Sequence, residues 1–303
     1  MIYFIVNPAA GSGRAKGAVP VIERIMREHN IKPGSDYSLI YTESPGDFTR
    51  VSGLIDFNIA KTIVCVGGDG TIQEYVGLAV NKNINFGVIP VGSGNDLILS
   101  VPVPEYAQKF SDFEQKIIFY TEKIFTNKII NIDAVSINGE NYFFNIGGTG
   151  LDIQVLKDAL PLKKFLGGGA YFISLMKNVF TYKAMQMTLT IDGGSETGMF
   201  ILAAICNGAY YGGNMRICPP AVINDGYITL CRIKNMPRLK MLTVFPKVKS
   251  GKHVSLKEVS FVNCSSLKLE FDGRKTINLD GNLVEFESPM TFNIIKDAVK
   301  FII

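Results

Sequence analysis

Short apolar runs alternate with helical patterns over the first part of the chain. Four of these runs predict buried strands, at residues 2–6, 37–42, 62–66 and 86–91. Apolar residues recur at helical spacing after the first two strands, at Val19, Ile22, Ile25 and Met26 and then at Phe48, Val51, Leu54 and Ile55. Strands that alternate with helices in this way predict an α/β domain built on a Rossmann-like parallel sheet.

The pattern changes after the polar stretch at residues 111–127, because strands then become more frequent than helices. Apolar runs on both sides of Asn138 and Gly139 predict a β-hairpin, since this dipeptide suits a tight two-residue turn. The sequence also predicts a helix at 170–182 and a last strand within 290–303. Between them, strands are predicted at 254–262, 267–271 and 275–280. We therefore expect a domain boundary near residue 128 and an all-β sandwich in the second domain.

Length and composition favour a two-domain protein and argue against nucleic-acid binding and a membrane-spanning helix. A chain of 303 residues exceeds the usual size of one core and favours two domains. Its net charge of +4 is too small to indicate nucleic-acid binding. No stretch approaches the roughly 18 apolar residues of a membrane-spanning helix, and the N-terminus lacks a signal-peptide pattern, so a cytoplasmic protein is expected.

Cysteine and histidine suggest no catalytic or metal group. The five cysteines are widely spaced, which argues against a disulfide framework and a zinc site. His29 and His253 belong to no recognisable catalytic constellation, and both are expected at the surface. Candidate chemistry must therefore come from other residues.

Three glycine-containing loops follow predicted strands, at residues 7–17, 67–71 and 92–96. The carboxyl ends of parallel strands share one edge of a sheet, so these loops are expected to converge on a ligand. Glycines let backbone amides approach a phosphate, and Asp69 could hold its Mg²⁺ beside the helix that Thr71 opens. The alternatives are a purely structural turn at 67–71 and, for Asp96, a cap on the following segment.

The first loop carries two cations, Arg14 and Lys16, which suit a polyphosphate. The spacing of its glycines fits neither the dinucleotide fingerprint nor the Walker loop. A solvated loop is an equally good explanation of the two cations from the residues alone. Assignment of this loop as a phosphate-binding site therefore requires evidence from other segments of the chain.

The turn at 67–71 (Gly-Gly-Asp-Gly-Thr), the turn at 92–96 (Gly-Ser-Gly-Asn-Asp) and the preceding Asn7-Pro8 together resemble the diacylglycerol kinase catalytic domain and its bacterial lipid kinase relatives. NAD kinases and phosphofructokinases carry related glycine-Asp turns. The resemblance continues through residues 207–227 and covers essentially the whole chain. It implies a nucleotide-binding α/β domain at 1–128 with a C-terminal return at 290–303, a β-sandwich domain at 129–289, and ATP and Mg²⁺ held between them.

The loops and the resemblance together give the candidate site residues. Those expected to bind the nucleotide are Asn7, Gly11, Gly13, Arg14, Lys16, Gly67, Gly68, Gly70, Thr71, Ser93, Asn95 and Lys164. Asp69, Asp96 and Asp133 are expected to organise Mg²⁺ or the acceptor hydroxyl. By resemblance, a structural Mg²⁺ is expected at Asp225 with the carbonyl groups of Val222 and Tyr227; a plain Asp-Gly turn is the alternative.

One position departs from the family. The family has Asp-Gly-Glu where this chain has Asp280-Gly281-Asn282, and the missing Glu is the proposed general base for the acceptor hydroxyl. An amide cannot take that proton, so Asp280 is the candidate replacement, with Glu285 and Glu287 as others. A slow or catalytically impaired homologue is therefore an open alternative, as is a kinase of a soluble acceptor.

Residues 236–253 mix apolar residues with Lys and Arg. This composition suits contact with an anionic membrane surface, but it suits an ordinary amphipathic helix equally well. We expect a lipid kinase that acts on a membrane lipid, most plausibly diacylglycerol, with peripheral contact at the inner face of the membrane. The sequence leaves the acceptor lipid and the oligomeric state open, with a homodimer as one candidate.

Overall fold

The computed structural model of the protein describes residues 1–303 except residues 93, 109, 167 and 168. The chain forms two compact units. Unit 1 comprises Met1–Asp133 and Lys296–Ile303, and unit 2 comprises Ala134–Ile295. Both boundaries fall inside strands, so two strands contribute residues to each unit.

Unit 1 is an α/β unit built on a parallel sheet. Its strands are β1 (Ile2–Val6), β2 (Tyr37–Tyr41), β3 (Thr62–Gly67) and β4 (Asn85–Pro90). The order is β2-β1-β3-β4, and the end of the C-terminal strand pairs in parallel with β4. The helices are α1 (Arg14–Glu28), α2 (Phe48–Gly53), α3 (Asp69–Val76), α4 (Asp96–Ser100) and α5 (Phe113–Glu122). The predicted alternation of strands and helices is confirmed.

The centre of unit 1 is β3, whose residues are all buried. A central parallel strand has neighbours on both sides and helices on both faces, which explains its uninterrupted apolar run. Helix α1 buries the apolar face predicted for it, including Ile22, Ile25 and Met26. These contacts fix the carboxyl ends of β1, β3 and β4, from which the candidate loops begin.

Helix α5 forms where the sequence showed only a polar stretch. The carboxylate of Asp112 caps it by accepting a hydrogen bond from the backbone N–H of Gln115 at 2.9 Å. Ile117 and Tyr120 are buried, so a narrow apolar stripe is sufficient to attach the helix. The helix was missed because residues 111–127 were interpreted as polar, although Ile118 and Phe119 lie between the two buried residues.

Unit 2 is a β-sandwich unit with three described helices. Its strands are β5 (Ile129–Ile137), β6 (Asn141–Phe143), β7 (Ile146–Gly150), β8 (Met185–Ile191), β9 (Gly194–Cys206), β10 (Ile228–Lys234), β11 (Val259–Cys264), β12 (Ser266–Glu270), β13 (Arg274–Leu279), β14 (Asn282–Glu287) and β15 (Met290–Ile302). The helices are α6 (Leu151–Leu166), α7 (Gly169–Thr181) and α8 (Arg238–Lys249). The strand order is β14-β13-β7-β9-β8-β12-β15, while β10 pairs with β9 and β11, and β6 with β5.

Strand β9 separates two apolar cores in unit 2. Phe200, Ala203 and Ile205 face a core made mainly by other strands. Leu202 and Ala204 face a second core, which also contains apolar residues of α7 and α8. Side chains on a strand alternate between the two faces of the sheet, so one strand supports both cores.

The hairpin predicted at Asn138 and Gly139 is confirmed. Both residues have positive φ values, 52° and 79°, and the flanking strands β5 and β6 pair antiparallel. Two other details differ from expectation. Residues 252–255 form a short 3₁₀ helix rather than the start of a strand, and β14 was not predicted, because its edge position leaves most of it exposed.

His253 is completely buried, so the prediction that it lies on the surface is wrong. Its Nε2 atom is 2.8 Å from the carbonyl oxygen of Ile217, and burial lowers the pKa of the ring. A neutral imidazole with a backbone partner can occupy a core. His29 is exposed, as predicted, and pairs with Glu122 at 3.0 Å.

Helix α8 occupies most of the segment considered for membrane contact. Met241, Val244 and Val248 on this helix are buried in the second core of unit 2. Leu239 is 75% exposed, while Lys240 forms an ion pair with Glu258 at 2.6 Å. Much of the amphipathic pattern therefore reflects packing within the unit. No helix in the described part of the chain is long and apolar enough to cross a membrane.

Candidate functional site

The turn at 67–71 is packed directly against the turn at 92–96. A Cβ atom on Gly92 would lie 2.7 Å from the Cα atom of Gly68, and one on Gly67 would lie 2.4 Å from the Cβ atom of Thr71. Side chains at these glycines would force the backbone apart. A Cβ atom on Gly70 would have no neighbour within 4 Å, so the backbone there is open. The glycines thus serve both close packing and an accessible surface.

Asp69 links the two turns. Its Oδ2 atom accepts a hydrogen bond from the backbone N–H of Asn95 at 2.7 Å, next to the start of α4. Its Oδ1 atom is buried and has no hydrogen-bond partner among the described residues. Burial raises the pKa of the carboxyl, and the N–H groups of Asn95, Asp96 and Leu97 act in the opposite direction. Asp69 therefore has a structural contact and one oxygen with unused acceptor capacity.

The first glycine loop joins the same cluster. Asn7 donates from Nδ2 to the Oγ1 atom of Thr71 at 2.9 Å. Gly11 has a φ of 61°, and a Cβ atom there would lie 2.2 Å from the carbonyl oxygen of Val91. The structure thus brings the loops at 7–17, 67–71 and 92–96 together, as the edge rule for parallel sheets predicts.

The remaining candidates of the first loop lie at the start of α1. Gly13 precedes the helix with a φ of 90°, and no atom lies within 4 Å of where its Cβ would be. Arg14 and Lys16 are both exposed. Arg14 donates from Nε to the carbonyl oxygen of Gly11 at 3.1 Å, which holds its stem on the loop. Both cations are thus available to a ligand near the loop.

The turn at 92–96 is described apart from Ser93, which lies outside the described residues. Asn95 has a φ of 62° and donates from Nδ2 to the carbonyl oxygen of Gly92 at 3.2 Å. Asp96 is buried and opens α4. The N-cap of α4 is Asn95, so Asp96 is not its cap, and the expected role of Asp96 towards metal or acceptor stays a prediction.

Asp133 is buried at the end of unit 1 in strand β5. Its Oδ1 atom accepts a hydrogen bond from the backbone N–H of Asp297 at 2.8 Å. This contact ties β5 to the C-terminal strand. Its expected role towards metal or acceptor stays a prediction.

In unit 2, the carboxylate of Asp280 is held by backbone N–H groups. It accepts hydrogen bonds from Phe144 at 2.8 Å, Asn145 at 3.0 Å and Ile146 at 2.7 Å. Asp280 itself has a φ of 49°, in the turn between β13 and β14. These contacts fix the segment that leads into β7 and give the carboxylate a structural task. Asn282 begins β14 and is exposed.

The expected structural metal site is an exposed turn. Asp225 accepts a hydrogen bond from the N–H of Tyr227 at 3.0 Å, and its own N–H donates to the carbonyl oxygen of Val222 at 3.3 Å. These are the contacts of the plain Asp-Gly turn. Among the described residues, no group of three or more His, Cys, Asp and Glu side chains could hold a metal ion. The side chain of Lys164 lies outside the described part of the chain.

Asp152 was not among the candidate residues. It lies at the start of α6, and its two carboxyl oxygens are buried without a close hydrogen bond among the described residues. Burial raises its pKa to about 7, against the smaller lowering effects of the N–H groups of Ile153 and Asp152 and of the Asn278 side chain. The hydroxyl of Tyr182 is also buried, with no partner in the described part of the chain, and burial raises its pKa with a smaller contribution from the charge of Asp152. The sequence signal was the resemblance of residues 145–152 to the family's Asn-x-x-x-x-Gly-x-Asp segment, for which a β-bulge or corner is the structural alternative.

The α/β unit with its three converging loops and the β-sandwich unit are compatible with a class of two-domain kinases, and comparison with known families makes the assignment. Residues 1–137 match the diacylglycerol kinase catalytic domain, and residues 146–303 match the YegS C-terminal NAD kinase beta sandwich-like domain. The chain belongs to the diacylglycerol kinase family, of the bacterial lipid kinase type. It is therefore an enzyme of the kinase class, and family membership implies the use of ATP.

Individual relatives cover most of the chain. The diacylglycerol kinase of Mycobacterium tuberculosis is 27% identical over 274 residues, which cover 89% of this chain and 84% of the relative. The diacylglycerol kinase of Bacillus subtilis is 26% identical and covers 82% of this chain and 80% of the relative. A crystal structure of a diacylglycerol kinase from Bacillus anthracis has a TM-score of 0.76 at 21% identity, covering 99% of this chain and 96% of that one. This likeness supports the fold.

The residues of unit 1 are compatible with a nucleotide phosphate and a divalent cation. The backbone is open at Gly70 in the first turn of α3, where a phosphate could meet N–H groups, whereas the N–H groups around Gly13 already donate to backbone carbonyls. Asp69 places a carboxylate in the first turn of α3, where it would repel a phosphate unless a cation lay between them. Its buried Oδ1 atom is the kind of hard oxygen that Mg²⁺ prefers. Since Mg²⁺ usually keeps waters and phosphate ligands, one carboxylate is sufficient.

Proposed function

We propose that this chain transfers the γ-phosphate of ATP to the hydroxyl group of a membrane lipid, with diacylglycerol as the first acceptor to test. The observation that carries the proposal is the buried Oδ1 atom of Asp69 beside the open backbone of the glycine loops. Relatives named diacylglycerol kinase in Mycobacterium tuberculosis and Bacillus subtilis support the choice of acceptor. Presentation of that lipid would require peripheral contact with a membrane.

In this proposal, the N–H groups around Gly68, Gly70 and Thr71 position the phosphates. Arg14 and Lys16 offset phosphate charge from the first loop. When bound, ATP supplies the phosphoryl group, and Mg²⁺ held by Asp69 neutralises charge on it. Asp96 and Asp133 are proposed to assist with the cation or the acceptor. Positioning and charge compensation are the main demands of phosphoryl transfer, so these residues carry most of the catalytic task.

The central test is Asp69→Asn. An Asn side chain can still accept from the N–H of Asn95 but lacks the negative charge that would hold a cation. We expect the free energy of unfolding to stay within about 1 kcal/mol of the wild type. Transfer of labelled phosphate to diacylglycerol in mixed micelles should fall by about 100-fold or more. Asp69→Ala is a poorer test, because it also removes the acceptor for Asn95. Unchanged specific activity of a folded Asn variant would refute the proposal.

The acceptor is tested in the same assay by offering several lipid alcohols and, separately, NAD. Labelled lipid supports the proposal, whereas a labelled soluble product would support the kinase of a soluble acceptor. ATP binding without transfer to any acceptor would support the catalytically impaired homologue. Each result thus selects one function.

Position 282 offers a gain-of-function test. Asn282 cannot accept a proton usefully, and the backbone N–H groups around Phe144 already engage Asp280. If the proposed general base is absent, Asn282→Glu should increase the rate of lipid phosphorylation by about 10-fold or more. Asn282→Gln is the matched control, since it lengthens the side chain without adding a base. An equal rate in both variants would mean that position 282 does not limit transfer.

A further inference from the structure

A cavity of about 230 Å³ lies in unit 1 beside the end of β4. It is lined by Arg14, Val91, Lys116 and residues 110–113. Arg14 opens α1 and Lys116 lies in the first turns of α5, so two separate helices each bring one cation to the same space. None of the sequence patterns pointed to Lys116.

The nearby carboxylates are already engaged. Glu114 pairs with Arg24 at 2.7 Å, and Glu122 pairs with His29 at 3.0 Å. Asp112 also lines the cavity, but its Oδ2 atom accepts from the N–H of Gln115. In the part of the chain that the structure describes, no carboxylate forms an ion pair with Arg14 or Lys116. The cavity lining therefore carries two cations and one carboxylate, that of Asp112, and neither cation is in an ion pair among the described residues.

Arg14 is held by two contacts, and Lys116 is partly buried. The guanidinium carbon of Arg14 lies 5.8 Å from the centre of the Phe113 ring, and its Nε atom donates to the Gly11 carbonyl. Lys116 is partly buried, and burial together with the charge of Arg14 lowers the pKa of its ammonium group. Two like charges held together in this way are unfavourable unless an anion joins them.

We propose that Arg14 and Lys116 bind a phosphate group in this cavity. A phosphate carries enough negative charge and enough acceptor oxygens to bridge a guanidinium and an ammonium group. The choice of phosphate among anions rests on the proposed kinase function. Two sources share this chemistry, the phosphate tail of the nucleotide and the head group of a phosphorylated lipid product. Both would meet the cavity next to the turn that follows Val91.

The test uses the full chain and measures binding without turnover. The variants are Lys116→Gln, Arg14→Gln and the charge-retaining Lys116→Arg. The matched control is Lys128→Gln, since Lys128 is an exposed lysine of the same unit outside the cavity lining. The probes are ADP without metal, followed by calorimetry, and phosphatidylcholine vesicles with and without phosphatidic acid, followed by co-sedimentation.

We expect Lys116→Gln and Arg14→Gln each to weaken binding of one probe by about tenfold, with Lys116→Arg close to the wild type. A loss for ADP identifies the nucleotide tail, and a loss confined to phosphatidic acid identifies the lipid head group. If both Gln variants bind every probe as well as the control does, the inference is wrong. If the wild type phosphorylates no lipid, the proposed function is refuted. A selective loss of ADP binding in the two Gln variants would still support this inference.

Discussion

Asp69 in unit 1 and Asp280 in unit 2 both stand in glycine turns, and both carboxylates hold backbone N–H groups. Asp280 accepts from the N–H groups of Phe144, Asn145 and Ile146. Asp69 accepts one close hydrogen bond, from Asn95, and its buried Oδ1 atom has no hydrogen-bond partner among the described residues. A buried acceptor without a partner costs free energy, and a cation bound at Asp69 would offset that cost. The comparison separates a carboxylate that shapes the fold from one that is suited to a cation.

The largest effect that tests this comparison is expected for Asp280→Ala. The change leaves several buried N–H groups without an acceptor and places Ala at a φ of 49°. The free energy of unfolding, measured by urea denaturation, should fall by about 4 kcal/mol. Asp280→Asn should lose less than half of that, because Asn keeps an acceptor oxygen and tolerates positive φ. An Ala variant as stable as the wild type would show that these contacts are not needed for the fold.

Asp152 extends the comparison to a buried carboxyl that forms no close hydrogen bond with the described residues. Burial raises its pKa from 3.8 to about 7, so the folded protein binds this proton more tightly than the unfolded chain does. Stability from the protonated group is therefore present below about pH 4 and is lost as pH rises towards about 7. The loss should be about 4 kcal/mol across this range.

The measurement is the free energy of unfolding of the wild type and of Asp152→Asn at several pH values. The Asn variant cannot ionise at this position. The free energy of unfolding of the wild type relative to that of the variant should therefore fall as pH rises from about 4 to about 7. A difference that is independent of pH would mean that Asp152 titrates normally. Asp152→Glu is the control: it keeps an ionisable carboxyl but changes the length of the side chain, so it shows how much stability depends on side-chain fit alone.

The sequence was informative where the pattern is local or follows a general rule of topology. The strands around β3 and the helix face of α1 come from periodicity, and the meeting of the glycine loops follows from the order of parallel strands. Asn138 and Gly139 predicted their hairpin because the required positive φ values restrict the residue types. Such signals need no knowledge of distant contacts.

The sequence was uninformative where a residue depends on a partner far along the chain. Asp280 binds N–H groups more than a hundred positions earlier, and His253 meets the carbonyl of Ile217, 36 positions earlier. Lys116 acquires its setting from Arg14 and from glutamates that pair elsewhere. No local sequence pattern indicates these distant partners. The structural role of Asp280 and the cavity that Lys116 lines could therefore not be predicted.

The smallest effect concerns the link between Asn7 and Thr71, which joins two loops of the candidate site through side chains alone. This hydrogen bond is only partly buried, in contrast to the backbone contacts of Asp280. Asn7→Ala and Thr71→Val should each lower the free energy of unfolding by about 1 kcal/mol, and the double variant should lose less than the sum. Urea denaturation of the four proteins gives the coupling energy. Strictly additive losses would show that the two loops are held together by backbone packing around Gly11, Gly68 and Gly92 rather than by this side-chain contact.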